Sequence, residues 1–378
     1  MDIGESVMMG HMVTTPPRRS RYVRPVVLLH VGEPKTATTF VQHALRAGRG
    51  QLAEHGVRVA GRSQHDVFRA TQDLRGIRRR ADDPAPSWDG AWDRLARQAL
   101  RTSRVSVISH ELLCAADDAQ AARAVASLRG ADVHVALTVR DMATLLPAEW
   151  QETVKHRNTR GWDDWLGDVV DKEFGDLDAF DDAARADARR EFWFWRVHDT
   201  ARLVELWHRH VPRSRIHVVT VPPRGADRTL VWRRFAQLID VPPDAVDVGS
   251  LRGNESLGLP EVELLRRLNC ALSPSVPGWS YMAEVKGPLA HGVLARRPAR
   301  GRLELPADRL PWAQEYARRL IAFLERSGYG IVGDLADLMP LASSGAGRHP
   351  SDVTDEDLLD AAVAASAGLL ERRYREHR

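Results

Sequence analysis

The apolar residues of this chain cluster in short dense runs separated by stretches of helical period. Val26-Val27-Leu28-Leu29-His30-Val31 puts five Val or Leu residues in six positions, the density of a strand buried on both faces. Val105-Ser106-Val107-Ile108, the run from Val133 to Val139 and the run from Ile216 to Val221 repeat it. Between these runs apolar side chains recur at spacings of three and four. Val41, Ala44 and Leu45 follow the first run, and Trp88, Trp92, Leu95 and Ala99 precede the second. Helices are also predicted from Asp117 to about Leu128, with Asp117 as cap, and beyond Asp141, with Pro147 in the first turn. One long helix is predicted from Phe192 to His210, with others from Pro260 to about Leu272 and from Ala307 to Ser327. Strands alternating with helices predict an α/β fold of three layers, a central parallel sheet flanked by helices.

Other stretches read differently. Residues 62–86 are polar, close with Pro84 and Pro86, and read as a surface excursion. Residues 279–302 give no clear signal. The expected organisation is a flexible leader over residues 1–22, one α/β domain over 23–340, and a linker with a C-terminal helix over 341–378. Thr354 caps that helix, and acidic residues fill its first turn.

Composition narrows the class. The 378 residues are 43% hydrophobic and 28% charged, which suits a protein with a sizeable core. A net charge of +3 mixed in sign along the chain gives no footprint for nucleic acid, and the run Arg78-Arg79-Arg80 reads as a solvated face. Cys114 and Cys270 form neither a disulfide framework nor metal-ligand spacing, so the expected compartment is reducing and cytoplasmic. No run approaches the roughly 20 apolar residues of a membrane span, and residues 1–20 lack the apolar core of a signal peptide.

The candidate chemistry begins where the first strand ends. Gly32 and Pro34 stop it, Thr36, Thr38 and Thr39 supply hydroxyls, and a helix whose first N–H groups and dipole favour an anion follows at once. Lys35 precedes Ala37, the reverse of the Gly-Lys order in a Walker A loop. Lysine is scarce here: of 54 Lys and Arg residues only Lys35, Lys155, Lys172 and Lys286 are lysine. A compact ammonium and a planar fork are not interchangeable, and one of the four lysines sits in the phosphate-loop candidate. At the ends of the next strands stand His110-Glu111, a pair suited to general-base work, and Arg140, whose fork grips phosphate oxygens.

Pro34-Lys35-Thr36-Ala37-Thr38-Thr39-Phe40 resembles the loop signature of sulfotransferases that use 3′-phosphoadenosine 5′-phosphosulfate (PAPS), with Ala37 in place of a Gly. The runs Leu137 to Asp141, Pro147 to Glu152 and Arg252 to Gly258 look like a bacterial, actinomycete-type branch of that family. The resemblance implies a P-loop-type fold and a loop of residues 34–40 on the 5′-phosphosulfate. It implies Lys35 neutralising the leaving oxygen, Arg140 on the 3′-phosphate with Arg252 and Gly253 closing over it, and no metal. The Ser that family places eight residues after the Arg is Ala148 here; Thr144 and Gln151 are the nearest replacements. His110 and Glu111 both stand as base. If position 37 needs a positive φ, its Cβ costs about 1 kcal/mol. The acceptor, a small molecule, lipid or glycan, is not named by the sequence. Two alternatives stand beside this expectation: a small-molecule kinase using ATP, with Asp141 holding a metal, and a degenerate, non-catalytic nucleotide-binding protein, motivated by Ala37 and Ala148.

Overall fold

The computed structural model describes residues 24–78, 87–101, 104–173, 192–251, 257–298, 301–341 and 347–377. Six strands form one sheet: β1 (Val26–Gly32), β2 (Val57–Val59), β3 (Val105–Ser109), β4 (Asp132–Val139), β5 (Ile216–Thr220) and β6 (Gly330–Val332). Their spatial order is β2-β3-β1-β4-β5-β6 and every pairing is parallel. All seven residues of β1 are buried, as expected of a central strand covered on both sides.

The alternation of side chains along β1 divides the core. Val27, Leu29 and Val31 enter one apolar cluster, while Val26 and Leu28 enter another. The second cluster is closed by α1 (Thr38–Ala47), through Val41 and Leu45, and by the helix Leu230–Leu238, through Trp232 and Phe235. The first and larger is closed by α3 (Gln64–Leu74), α4 (Ala91–Ala99), α5 (Asp118–Ala126), α6 (Met142–Lys155), α7 (Trp162–Asp171) and later helices. A short α2 (Arg49–Glu54) leads into β2. This is the predicted three-layer fold, with the loop after β1 at the middle of the sheet's C-terminal edge.

Several expectations are corrected. Residues 64–74 are a packed helix and not a surface excursion: Ser63 caps α3 through the Asp66 N–H, and Val67, Ala70 and Leu74 are buried among polar neighbours. The helix predicted over 192–210 is two, Trp193–His198 and Thr200–His208, because Asp199 breaks the first and caps the second through the Arg202 N–H. Pro147 lies in the interior of α6, since the cap at Asp141 starts that helix at Met142. Residues 278–281 form a helical turn that runs into a π-helix, Met282–His291. The C-terminal helix Asp355–Glu376, capped by Thr354 as predicted, lies on the helix Leu259–Ala271. Arg297 ties the two regions by bridging Glu261 (2.8 Å) and Asp360 (2.9 Å). Cys114 and Cys270 are free thiols. Among the described residues, no helix is long and apolar enough to cross a membrane.

Candidate active site

The loop after β1 depends on close backbone approach. Gly32 has φ +109°, and a Cβ there would lie 3.0 Å from the Glu111 carbonyl oxygen and 3.1 Å from its Cα, so only glycine lets the two strand ends meet. Ala37 caps α1 from a left-handed conformation, φ +62° and ψ +14°. The conditional expectation for position 37 is therefore met: the residue sits where glycine is favoured. No side chain caps α1 and no acid lies in its first turn. Its leading N–H groups are left for an anion.

Beneath the loop runs a chain of hydrogen bonds in one consistent direction. Ser109 Oγ donates to His30 Nδ1 (2.7 Å), His30 Nε2 donates to Thr138 Oγ1 (3.3 Å), and Thr138 Oγ1 donates to Thr36 Oγ1 (2.6 Å). Thr36 Oγ1 in turn donates to the Glu33 carbonyl (2.5 Å). Burial pushes the His30 pKa down to about 4, so a neutral ring with one donor and one acceptor suits this chain. The Thr36 hydroxyl is thus spent on fixing the loop to the sheet, and only its backbone remains for a ligand.

Arg140 leaves β4 beside the loop. Its Nη1 donates to the Lys35 carbonyl (3.3 Å), and its Nε is buried with no partner among the described residues. Burial lowers its pKa, the Asp141 charge opposes that, and Arg224 adds to it. Arg224, which the sequence reading did not single out, thus brings a second positive charge toward Arg140. Asp141 is the N-cap of α6: its Oδ1 accepts from the Thr144 N–H (2.9 Å) and Oγ1 (3.1 Å). Thr144, a proposed replacement for the absent Ser, has its hydroxyl on Asp141.

Lys35 Nζ donates to Glu152 Oε2 at 2.8 Å. The same oxygen holds Lys155 Nζ at 2.8 Å, while Glu152 Oε1 holds Lys286 Nζ at 3.0 Å and lies 3.3 Å from His156 Nε2. Burial favours the neutral Glu152 acid, but His156 and the three ammoniums outweigh it and keep the carboxyl far below the ordinary range. Sequence reading missed Glu152, Lys155 and Lys286. The scarcity of lysine was the available signal for Lys155 and Lys286, and none pointed to Glu152.

His110 and Glu111 lie on the other side of the loop. The His110 Nδ1 accepts the Leu112 N–H (3.1 Å), so the neutral ring carries its proton on Nε2. Burial lowers its pKa, Glu111 opposes that, and Arg75 and Arg46 add to it. The Glu111 carboxyl is raised by burial, but His110 and a hydrogen bond from Gln42 Nε2 (2.8 Å) outweigh this and lower it. At neutral pH the carboxylate is ionised and the imidazole is not.

The loop's own acidic residue was also missed. Glu33 reaches inward, accepting from Thr200 Oγ1 (2.6 Å) and lying 3.5 Å from His198 Nδ1. Glu149 of α6 lies 3.5 Å from His198 Nε2. Burial alone would lower the His198 pKa, but Glu149 and Glu33 raise it to about 9. A protonated histidine therefore stands between two carboxylates, all three buried.

Of the remaining residues, Pro34 and Thr38 are buried, while Thr39 and Phe40 are partly buried. The Arg228 guanidinium lies 5.8 Å over the Phe40 ring. Arg252 and Gly253 lie outside the described residues. No family model matches the sequence, and no curated protein matches it. One solved structure that does match is the crystal structure of a sulfotransferase from Alicyclobacillus acidocaldarius, at TM-score 0.35 and 15% identity, covering 73% of this chain and 100% of that one.

Proposed function

We propose that the protein is a sulfotransferase that moves a sulfuryl group from PAPS to a hydroxyl or amine of an acceptor. The observation that carries this reading is Arg140. It follows the last residue of β4 next to the loop, 3.3 Å from the Lys35 carbonyl, with a buried Nε that has no partner among the described residues. An orphaned guanidinium nitrogen beside an uncapped helix N-terminus suits a donor carrying two separate anionic groups. The residues present fit such a donor: the α1 N–H groups, Lys35 and Thr39 for the phosphosulfate, and Arg140 with Arg224 for the 3′-phosphate.

In the proposed reaction the acceptor oxygen or nitrogen bonds to sulfur as the bond from sulfur to the bridging oxygen breaks, leaving adenosine 3′,5′-bisphosphate. Lys35, released from Glu152, donates toward that bridging oxygen. The acceptor proton goes to Glu111, which is ionised and held by Gln42. His110 fits that role less well, because its one free lone pair already accepts the Leu112 N–H. The kinase alternative needs Asp141 for a metal, and Asp141 Oδ1 serves as the α6 cap.

Calorimetry tests the reading. Adenosine 3′,5′-bisphosphate is expected to bind without added metal and more tightly than ATP with Mg²⁺. Binding of ATP alone would sink the proposal, and binding of neither would favour the non-catalytic alternative. Lys35→Ala is expected to abolish transfer while the fold persists.

A further inference from the structure

Three of the four lysines in a chain with fifty arginines converge on one carboxylate. They come from three separate elements: Lys35 from the loop, Lys155 from α6, and Lys286 from the π-helix. Glu152 forms an ion pair with each, at 2.8, 2.8 and 3.0 Å. His156 shares the Lys286 ammonium, and His291, near enough for Lys155 and Lys286 to lower its pKa beyond the effect of burial, completes the rim.

The charges do not balance. Three ammoniums face one carboxylate, and each ammonium has three donors. Lys155 is nearly buried, with 7% of its surface exposed, and Glu152 is its one ion-pair partner among the described residues. Placing a nearly buried cation opposite a carboxylate shared with two other cations is costly, and clustering like charges adds to the cost. The arrangement has the form of a site whose second anion is supplied from outside. Lysine suits it better than arginine, because three compact ammoniums fit around two small anions where three planar forks would collide. A π-helix, rare and concentrated at functional sites, delivers Lys286 and His291 one i→i+5 step apart.

We infer that Lys155 and Lys286, held by Glu152 beside the loop lysine Lys35, form a subsite for an oxyanionic group, carboxylate or sulfate, on the acceptor, while Lys35 itself serves the leaving oxygen. The acceptor is therefore an acidic molecule, bound with its anion next to the hydroxyl or amine that receives the sulfuryl group. This rests on the sulfotransferase reading, and deepens it by naming the acceptor's class.

The test uses the full chain saturated with adenosine 3′,5′-bisphosphate and titrated with inorganic sulfate in one arm and acetate in the other, which separates the two anion chemistries. At least one anion is expected to bind at a single salt-sensitive site. Lys155→Met and Lys286→Met should each weaken it about tenfold, as loss of one charge-assisted hydrogen bond does, while bisphosphate affinity stays within about twofold. Lys286, on the rim, keeps the test readable if Lys155→Met fails to fold. The inference is overturned if neither anion binds, if binding survives both substitutions, or if bisphosphate affinity falls in parallel, which would assign the lysines to the donor. If the bisphosphate itself does not bind, the sulfotransferase reading fails, and the same titrations without nucleotide still decide whether the lysines hold an anion.

Discussion

Replacing His198 by Gln removes the cation that separates Glu33 from Glu149, and its cost should depend on pH in a calculable way. The His198 pKa rises from 6.5 to about 9 on folding, because the two carboxylates outweigh burial. A raised folded-state value means that the folded protein binds the extra proton. The contribution is fully present below pH 6.5 and is lost as pH climbs through about 9. The displacement is equivalent to about 3 kcal/mol, undiscounted because the ring is 0% exposed. Urea unfolding at pH 6, 7.5 and 9 measures it. The native protein is expected to lose about 1.4 kcal/mol per pH unit across this window relative to His198→Gln. The variant is expected to be destabilised most at pH 6, and Glu149→Gln added to it should restore part of the loss by removing one of two facing carboxylates. If the native protein and the variant show parallel stability profiles between pH 6.5 and 9, His198 is not a buried cation.

Three further outcomes test the loop. At position 37, Gly is expected to stabilise by about 0.5 kcal/mol and Val to destabilise by more than about 1 kcal/mol, because φ is +62°; thermal denaturation giving the opposite order would contradict the left-handed backbone. Gly32→Ala meets both a φ of +109° and the Glu111 carbonyl at 3.0 Å, so a loss of about 1–3 kcal/mol is expected by denaturant titration. Arg140→Lys keeps the charge and loses the fork; calorimetry should show adenosine 3′,5′-bisphosphate affinity falling about tenfold or more, and unchanged affinity would remove Arg140 from the donor site.

The four inner strands were legible because each is a short run of Val, Ile and Leu that a buried parallel sheet requires. β2 and β6, three residues each at the sheet edges, carry too little pattern to be read. α3 escaped because Gln64, His65, Asp66 and their polar successors masked Val67, Ala70 and Leu74 at spacings of three and four. The break at Asp199 escaped because the apolar stripe continues on both sides of it, and only the side chain's capping bond ends the helix. Lys35 and Arg140 were visible through their positions at strand ends. The Glu152 cluster was not, since Lys286 lies 134 residues from Glu152 and no local spacing links them. Glu33 looked like a loop residue, and its inward turn depends on His198, which is far away in sequence.

The position of β1 in the sheet also governs how the chain must be made. Its two neighbours, β3 and β4, both come later, Ser109 lying 79 positions and Thr138 108 positions after His30. At about 5–20 residues per second of synthesis, the most apolar strand emerges first and waits roughly 5–20 s for its second partner. Until β3 emerges it is an unpaired strand with two open edges, and until β4 emerges it keeps one, the kind of segment that recruits other chains. Fragments ending between β3 and β4 should therefore aggregate where fragments extending past Val139 do not, which ties the assembly of the phosphate loop to the completion of its sheet.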